Sequence, residues 1–238
     1  MHRDTRTICI DRVHPDETEA LLSLYIDLFY DREPLTKCLG LGRERLIEVA
    51  RSMHSGANAN PIARGLCWIA RDRNAANEEV GFIVCDDPIA ETNQQVPDNL
   101  TDQEKGSLSA VMALMEEIRK PQQERIGSEA GRCLHIAAVG VAPGYEGAGI
   151  ATRLLQTALA EATERGFAHV FSECTGEASR KCHEKLGFQP LHRINLNKFA
   201  INGVCPFPTI NLLIYLLWKD LTTGPAEGGK YRMGAEST

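Results

Sequence analysis

No C-x-x-C pair occurs in the 238 residues, which removes the commonest zinc and redox patterns. The eight cysteines, Cys9, Cys38, Cys67, Cys85, Cys133, Cys174, Cys182 and Cys205, are scattered, mostly within apolar runs such as GFIVCDD and RCLHIAAVG. They read as buried, reduced thiols, and no metal is expected. No apolar run approaches the roughly 18 residues that mark a membrane span; the longest is INLLIYLLW. The N-terminus MHRDTRTICIDR is polar and charged, unlike a signal peptide. A reducing cytoplasm and no membrane partner are the expectation. A basic excess is missing as well. The formal net charge is -6, which speaks against nucleic acid as partner and suits a cationic substrate.

What is present reads as an ordinary globular chain, 43% hydrophobic and 24% charged, long enough to bury a substantial core. One domain over residues 1–221 is expected, followed by a Gly-rich, polar tail over 222–238 that reads as disordered. RTICIDRV predicts a first strand. A helix starts at Pro15 and Asp16, with a stripe at Leu21, Leu24, Tyr25 and Leu28. The chain turns at Pro34, and a second helix covers Arg43 to Met53. LCWIARD and EVGFIVCDD form a hairpin. DQEKGSLSAVMALMEEIRK predicts a helix with Leu108, Val111, Met112 and Met115 as its core face. CLHIAAVGVAP is apolar on both faces and should be a central strand. A helix from Ile150 to Arg165 follows, then the strand AHVFSEC, a short helix closed by Gly187, and two last strands in FQPLHRINLNKF and TINLLIYLLWKDL. The order predicts a mixed sheet with helices on both faces. The strands of Val139 and Val170, joined by one helix, should be parallel neighbours.

The stretch GVAPGYEGAGIATRLL carries three glycines, Gly144, Gly147 and Gly149, into a helix start. Glycine there admits a close approach to the backbone, and free N–H groups at a helix start attract phosphate. A P-loop is excluded, since Ile150 and Ala151 stand where Lys and Ser or Thr belong. A dinucleotide fingerprint lacks its third glycine.

The run VGVAPGYEGAGIATRLL, followed by HEKLGF, resembles the GNAT superfamily of acetyltransferases. Their acetyl-CoA motif is a strand ending in V-x-P, then Arg or Gln-x-x-Gly-x-Gly or Ala at a helix start. Val139, Val141 and Pro143 supply the strand; Glu146, Gly147, Ala148, Gly149, Ile150 and Ala151 supply the turn. Glu146 departs from the usual Arg or Gln, so its contribution must come from backbone N–H. The resemblance implies an α/β (α+β) fold with a mixed, mostly antiparallel sheet of six to seven strands, a central parallel pair and helices on both faces. It also implies that N–H groups from Gly147 to Thr152 wrap the CoA pyrophosphate. The splayed strand at Val139 and Val141 would bind pantetheine as an added strand does.

Two stretches narrow the likeness. LFYDREPLTKCLGL and SECTGEASRKCHEKLGF resemble segments of insect arylalkylamine N-acetyltransferases. In that group the Glu of Glu-Pro-Leu is the proposed general base, and two hydroxyl residues after the Cys lie near the reacting centre. The matching positions are Glu33, Thr175 and Ser179. Such chemistry needs a base, because only the unprotonated amine attacks a thioester. Many members place a Tyr where this chain has His183; a His there could donate a proton near neutral pH, and Ser179 is the other candidate donor. The resemblance thus implies transfer of acetyl from acetyl-CoA to a primary amine of a small molecule, an arylalkylamine among the candidates, by direct attack in a ternary complex. Phe29, Tyr30, Leu35 and the strand from Thr209 to Trp218 could line an apolar acceptor pocket. A protein or peptide acceptor, or a non-catalytic acyl-CoA-binding module, stands as the alternative. The expected partners are acetyl-CoA and the amine, with the chain a monomer or homodimer.

Overall fold

The computed structural model describes residues 6–53, 60–88, 97–126 and 131–221. The tail over 222–238 lies outside them, as do parts of the connections after Met53 and Pro88. Seven strands form one sheet: β1 (Ile8–Arg12), β2 (Cys67–Asp72), β3 (Glu78–Asp86), β4 (Cys133–Val141), β5 (His169–Cys174), β6 (Gln189–Asn195) and β7 (Leu213–Asp220), in the order β1-β2-β3-β4-β5-β7-β6. Only β4 and β5 pair in parallel among these neighbours. The crossover between them is α5 (Ile150–Glu164). β7 inserts between β5 and β6, which leaves β6 at an edge, and its Pro190 sits beside a register shift against β7, the kind of place in a sheet that tolerates proline.

The helices divide between the two faces. On one, α5 buries Leu154, Leu155 and Ala158 against Ile83, Leu134 and Val170, and α6 (Glu177–Lys185) packs Cys182 beside them. On the other lie α1 (Thr18–Phe29), α2 (Pro34–Leu39), α3 (Arg43–Met53) and α4 (Asp102–Ile126). There α4 sets Leu114 and Ile118 on Phe171 and Trp218. α1 sets Leu21, Leu24 and Leu28 near Ile69 and Phe82. Phe171 and Val170, adjacent in β5, thus serve opposite cores, as strand alternation requires.

Three expectations need correction. The chain does not merely turn at Pro34; Pro34 opens α2, with Glu33 as its N-cap. Proline suits that position because its missing N–H would have no helical partner anyway. The helix read as ending at Lys120 continues through Pro121 to Ile126, where Gln122 is buried and the Arg125 guanidinium lies 5.7 Å from the Trp218 ring centre. The most buried residues of its core face are Leu108, Leu114 and Ile118; Val111 and Met115 pack half-buried against the core, and Met112 is 41% exposed. Four of the eight cysteines are fully buried and the other four half-buried, none in a disulfide.

Candidate active site

The site begins where two strands part. β4 pairs with β5 only from Cys133 opposite His169 to Ile136 opposite Ser172. On its other side, Val84 of β3 faces Ala138 while Cys85 faces Ile136. Ala137 is therefore an extra residue in β4. A bulge of this kind bends its strand and increases the local twist, and here it sits at the last β4–β5 pair. Beyond it, the β4 edge from Ala137 to Val141 borders a cleft of about 1260 Å³. Val139 and Val141 lie on that edge, half-buried.

At the end of β4 the chain makes the glycine turn. Gly147 and Gly149 have φ of 78° and 77°, and a Cβ on either would meet nothing within 4 Å. They are small because of backbone conformation and approach, not because of crowding. Gly149 is the N-cap of α5, and no side chain caps the helix. The N–H groups of Ile150, Ala151 and Thr152 thus begin the helix without intrahelical partners, under the positive end of the helix dipole. Ile150 buries its side chain in the core, so only its backbone serves the turn. Gly147, Ala148 and Gly149 are exposed. This open, uncapped helix start and the unpaired strand edge fit the diphosphate and the pantetheine arm of a CoA thioester.

Glu146 faces away from that role. Its Oε1 accepts from Arg32 Nη2 at 2.9 Å and its Oε2 from the Gly144 N–H at 2.7 Å. Its own N–H and that of Gly144 hold the carboxyl below the usual range, and Arg32 adds to the effect. No local sequence signal marks Arg32, whose contacts with Val141 and Glu146 form across more than a hundred residues.

Glu33 enters the cleft from the opposite wall. Its Oε2 accepts the Thr36 N–H at 2.6 Å, capping α2, and its Oε1 accepts the Thr175 hydroxyl at 2.9 Å. The N-cap bond and the following proline fix the loop, while Thr175 ties it to the end of β5. The Glu33 N–H donates to the Phe29 carbonyl at 2.8 Å. Burial and then the charge of Glu33 push the Tyr25 phenol up to about 12, so Tyr25 stays protonated through the physiological range.

Ser179 also lines the cleft, in the first turn of α6. Its hydroxyl lies 3.5 Å from Cys174 Sγ. Burial raises the Cys174 thiol to about 12, the opposite of an activated nucleophile. His183 lies 3.6 Å from the same sulfur, but its Nδ1 also faces the Ser179 carbonyl at 2.9 Å. The ring is 0% exposed and packs edge-on against Phe188. Burial lowers its pKa. His183 is thus an interior residue rather than a helix-surface one, and it does not line the cleft.

Sequence reasoning missed an ionic cluster at the cleft floor, where Arg119 and Glu173 line the cleft and His135 and Asp86 lie behind them. His135 of β4 places Nδ1 2.8 Å from Asp86 of β3 and Nε2 2.7 Å from Glu173 of β5. Arg119 of α4 donates to Glu173 at 2.5 Å. Burial alone would lower the His135 pKa; the charges of Asp86 and Glu173 outweigh it and raise it to about 9. Burial opposes ionisation of Glu173, yet Arg119 and His135 hold it well below its ordinary value. The signal was available: charged residues inside otherwise apolar central strands.

The acceptor side is also rearranged. Phe29 and Leu35 line the cleft, as expected, but Tyr30 packs beside Ile26 and Leu46. The strand from Thr209 to Trp218 does not reach the cleft. Ile214, Leu216 and Trp218 are buried in the core under α4, and Val111, Met112 and Met115 of α4 line the cleft instead.

Solved structures of other proteins share this fold. The C-terminal condensation domain of Ebony in complex with beta-alanyl-dopamine superposes with a TM-score of 0.75 at 16% identity, over 91% of this chain and 100% of that one. Mosquito arylalkylamine N-acetyltransferase like 5b gives 0.70 at 22%, over 90% and 100%. Drosophila melanogaster polyamine N-acetyltransferase gives 0.67 at 20%, again over 90% and 100%. Residues 61–188, which contain the splayed strand, the glycine turn and Ser179, match the model of the acetyltransferase (GNAT) family. The chain belongs to the GNAT family and is an acetyl-CoA-dependent acetyltransferase.

Proposed function

We propose that this enzyme transfers acetyl from acetyl-CoA to the primary amine of a small molecule with an apolar, arylalkyl body. The observation that carries the reading is the Glu33–Thr175 pair in the same cleft as the unpaired edge of β4. A carboxylate held by two donors at fixed geometry is placed to take the proton of an attacking amine, directly or through one water. Thr175 and the Thr36 N–H orient it. The nitrogen–carbon bond forms as the carbon–sulfur bond breaks, with the amine proton passing to Glu33 and then to solvent. The Ser179 hydroxyl is placed to hydrogen-bond the departing sulfur. N–H groups along Val139 and Val141 hold the pantetheine and polarise the thioester carbonyl. Those from Gly147 to Thr152 hold the diphosphate. His183 takes no part in the transfer. The raised Cys174 thiol supports direct attack over an acyl-cysteine route.

The acceptor body is read from Leu35, Met112 and Met115, which line the cleft. Methionine makes favourable contacts with aromatic rings and adapts to their shape. Two of the similar structures are enzymes named for arylalkylamine and polyamine acetylation, in keeping with a small-amine acceptor. The test is mass-spectrometric detection of product from acetyl-CoA with tyramine, tryptamine, a polyamine and a short peptide. Acetylated tyramine or tryptamine is expected. Acetylation of the peptide alone would overturn the small-molecule reading, and acetylation of the polyamine alone would overturn the aryl part of it.

A further inference from the structure

The turn that receives the diphosphate carries an acidic residue, Glu146, where the sequence pattern calls for a positive or amide side chain. A carboxylate beside an incoming dianion is unfavourable unless something neutralises it. Arg32 does so, from outside the motif. It reaches across from the loop between α1 and α2 with one nitrogen on Glu146, 2.9 Å, and the other on the Val141 carbonyl, 3.2 Å. Arg153, in the first turn of α5, points elsewhere and donates to the Ile8 carbonyl at 3.0 Å. The Glu146 carboxylate meanwhile sits on the Gly144 N–H. It thus occupies a backbone donor and a guanidinium together, as a bound anion would.

We propose that Arg32 is a diphosphate-binding residue of this enzyme, and that Glu146 is an internal anion that competes with acetyl-CoA for it. The proposal rests on the reading of the glycine turn as the acetyl-CoA site and adds a residue that the motif does not contain. Three features support it. The Arg32 and Glu146 side chains are 45% and 51% exposed, and ion pairs at that exposure are weak and readily exchanged. A guanidinium matches phosphate oxygens with two parallel N–H donors. Arg32 also lines the same cleft as the β4 edge. Because Arg32 directly precedes Glu33, the same contact draws the loop of the general base toward the cofactor.

The test is calorimetric binding of two thioesters, acetyl-CoA and acetyl-pantetheine, the second lacking any phosphate. Arg32→Ala should weaken acetyl-CoA by about tenfold to a hundredfold, the range for a lost hydrogen bond to a charged group, and leave acetyl-pantetheine within about twofold. Glu146→Gln should tighten acetyl-CoA. The double variant separates binding from neutralisation. If Arg32 binds the diphosphate, Arg32→Ala still weakens acetyl-CoA in the Glu146→Gln background. If the double variant binds as tightly as Glu146→Gln alone, Arg32 only neutralises Glu146 and the proposal falls. It also falls if Arg32→Ala weakens both thioesters equally, which marks a structural role, or if neither single variant changes acetyl-CoA affinity. Failure of the wild-type protein to bind acetyl-CoA at all would overturn the turn assignment itself, and the proposal with it.

Discussion

The Thr175 hydroxyl donates to Glu33 Oε1 at 2.9 Å across 142 residues of chain. This bond joins the end of a central strand to a loop on the far side of the cleft, so the carboxylate is oriented by the fold and not by its own loop alone. Glu33→Gln keeps an oxygen for the Thr36 N–H or for Thr175, yet cannot take up the amine proton. Acetyl-CoA affinity should stay unchanged while kcat falls by about 10²- to 10⁴-fold, the usual share of a general base. Thr175→Val should cost less, because the Glu33 carboxylate remains. Turnover by Glu33→Gln close to wild type would remove Glu33 from the mechanism.

Much of this site was legible in residues that obey local rules. The glycine turn, the V-x-P strand and the helix after it lie in one continuous segment, where spacing alone sets the geometry. Glu33, Thr175 and Ser179 came from likeness to known segments, and all three line the cleft. What stayed hidden depends on packing between distant elements. Nothing local tells that Met112 faces a cleft while Leu114 faces the core. Nothing near His183 announces the sheet that buries it. Arg32 gains its place through Val141 and Glu146, more than a hundred residues on. At Pro34 the chain does turn, over residues 30–32, but a proline that cannot sit inside a helix can also begin one, and α2 follows at once.

Gly149 tests the turn. Its φ of 77° costs an ordinary side chain roughly 1–2 kcal/mol, and a β-branched one more. The space about its Cβ is open, so the β-carbon of Gly149→Val meets no protein atom within 4 Å. It would strain the N-cap and place two methyl groups where an anion must approach the first N–H groups of α5. The expected result is a modest fall in Tm together with loss of measurable acetyl-CoA binding by calorimetry. Unimpaired binding by Gly149→Val would show that the anion does not come to this helix start.

Gly140 tests how the strand edge and the Glu33 loop are linked. A Cβ there would lie 2.6 Å from Phe82 Cε1 and 3.2 Å from Phe29 Cε2. Both rings belong to the aromatic cluster with Tyr25, and the Phe29 carbonyl holds the Glu33 N–H. Gly140→Ala should cost about 1–3 kcal/mol by overpacking, lowering Tm by roughly 2–4 °C per kcal/mol in a chain of this size. The displaced Phe29 should also disturb Glu33, so kcat falls with Tm. Adding Phe82→Leu, which frees room for the methyl group, should restore part of both. A fall in Tm with kcat unchanged would separate the strand edge from the Glu33 loop.

The cluster of His135, Asp86, Glu173 and Arg119 binds β3, β4, β5 and α4 together just before β4 and β5 part. Two cations face two anions there only while His135 is protonated. Its folded pKa of about 9 lies above the ordinary 6.5, so its stabilising effect is complete below pH 6.5 and is lost as pH rises through about 9. Asp86 and Glu173 are lowered in the fold; their effect is complete above the ordinary carboxylate range and is lost on acidification. The cluster therefore stabilises most between the two ranges, near pH 5 to 6.5. Removing one member of such a buried set costs about 3–5 kcal/mol. Urea unfolding of wild type and His135→Gln should give a large difference at pH 6 that shrinks steadily toward pH 10. Taking the difference cancels the buried thiols, which also oppose alkaline stability but are common to both proteins. A difference that stays constant from pH 6 to pH 10 would mean that His135 is neutral in the fold and that the carboxylates are held by Arg119 alone.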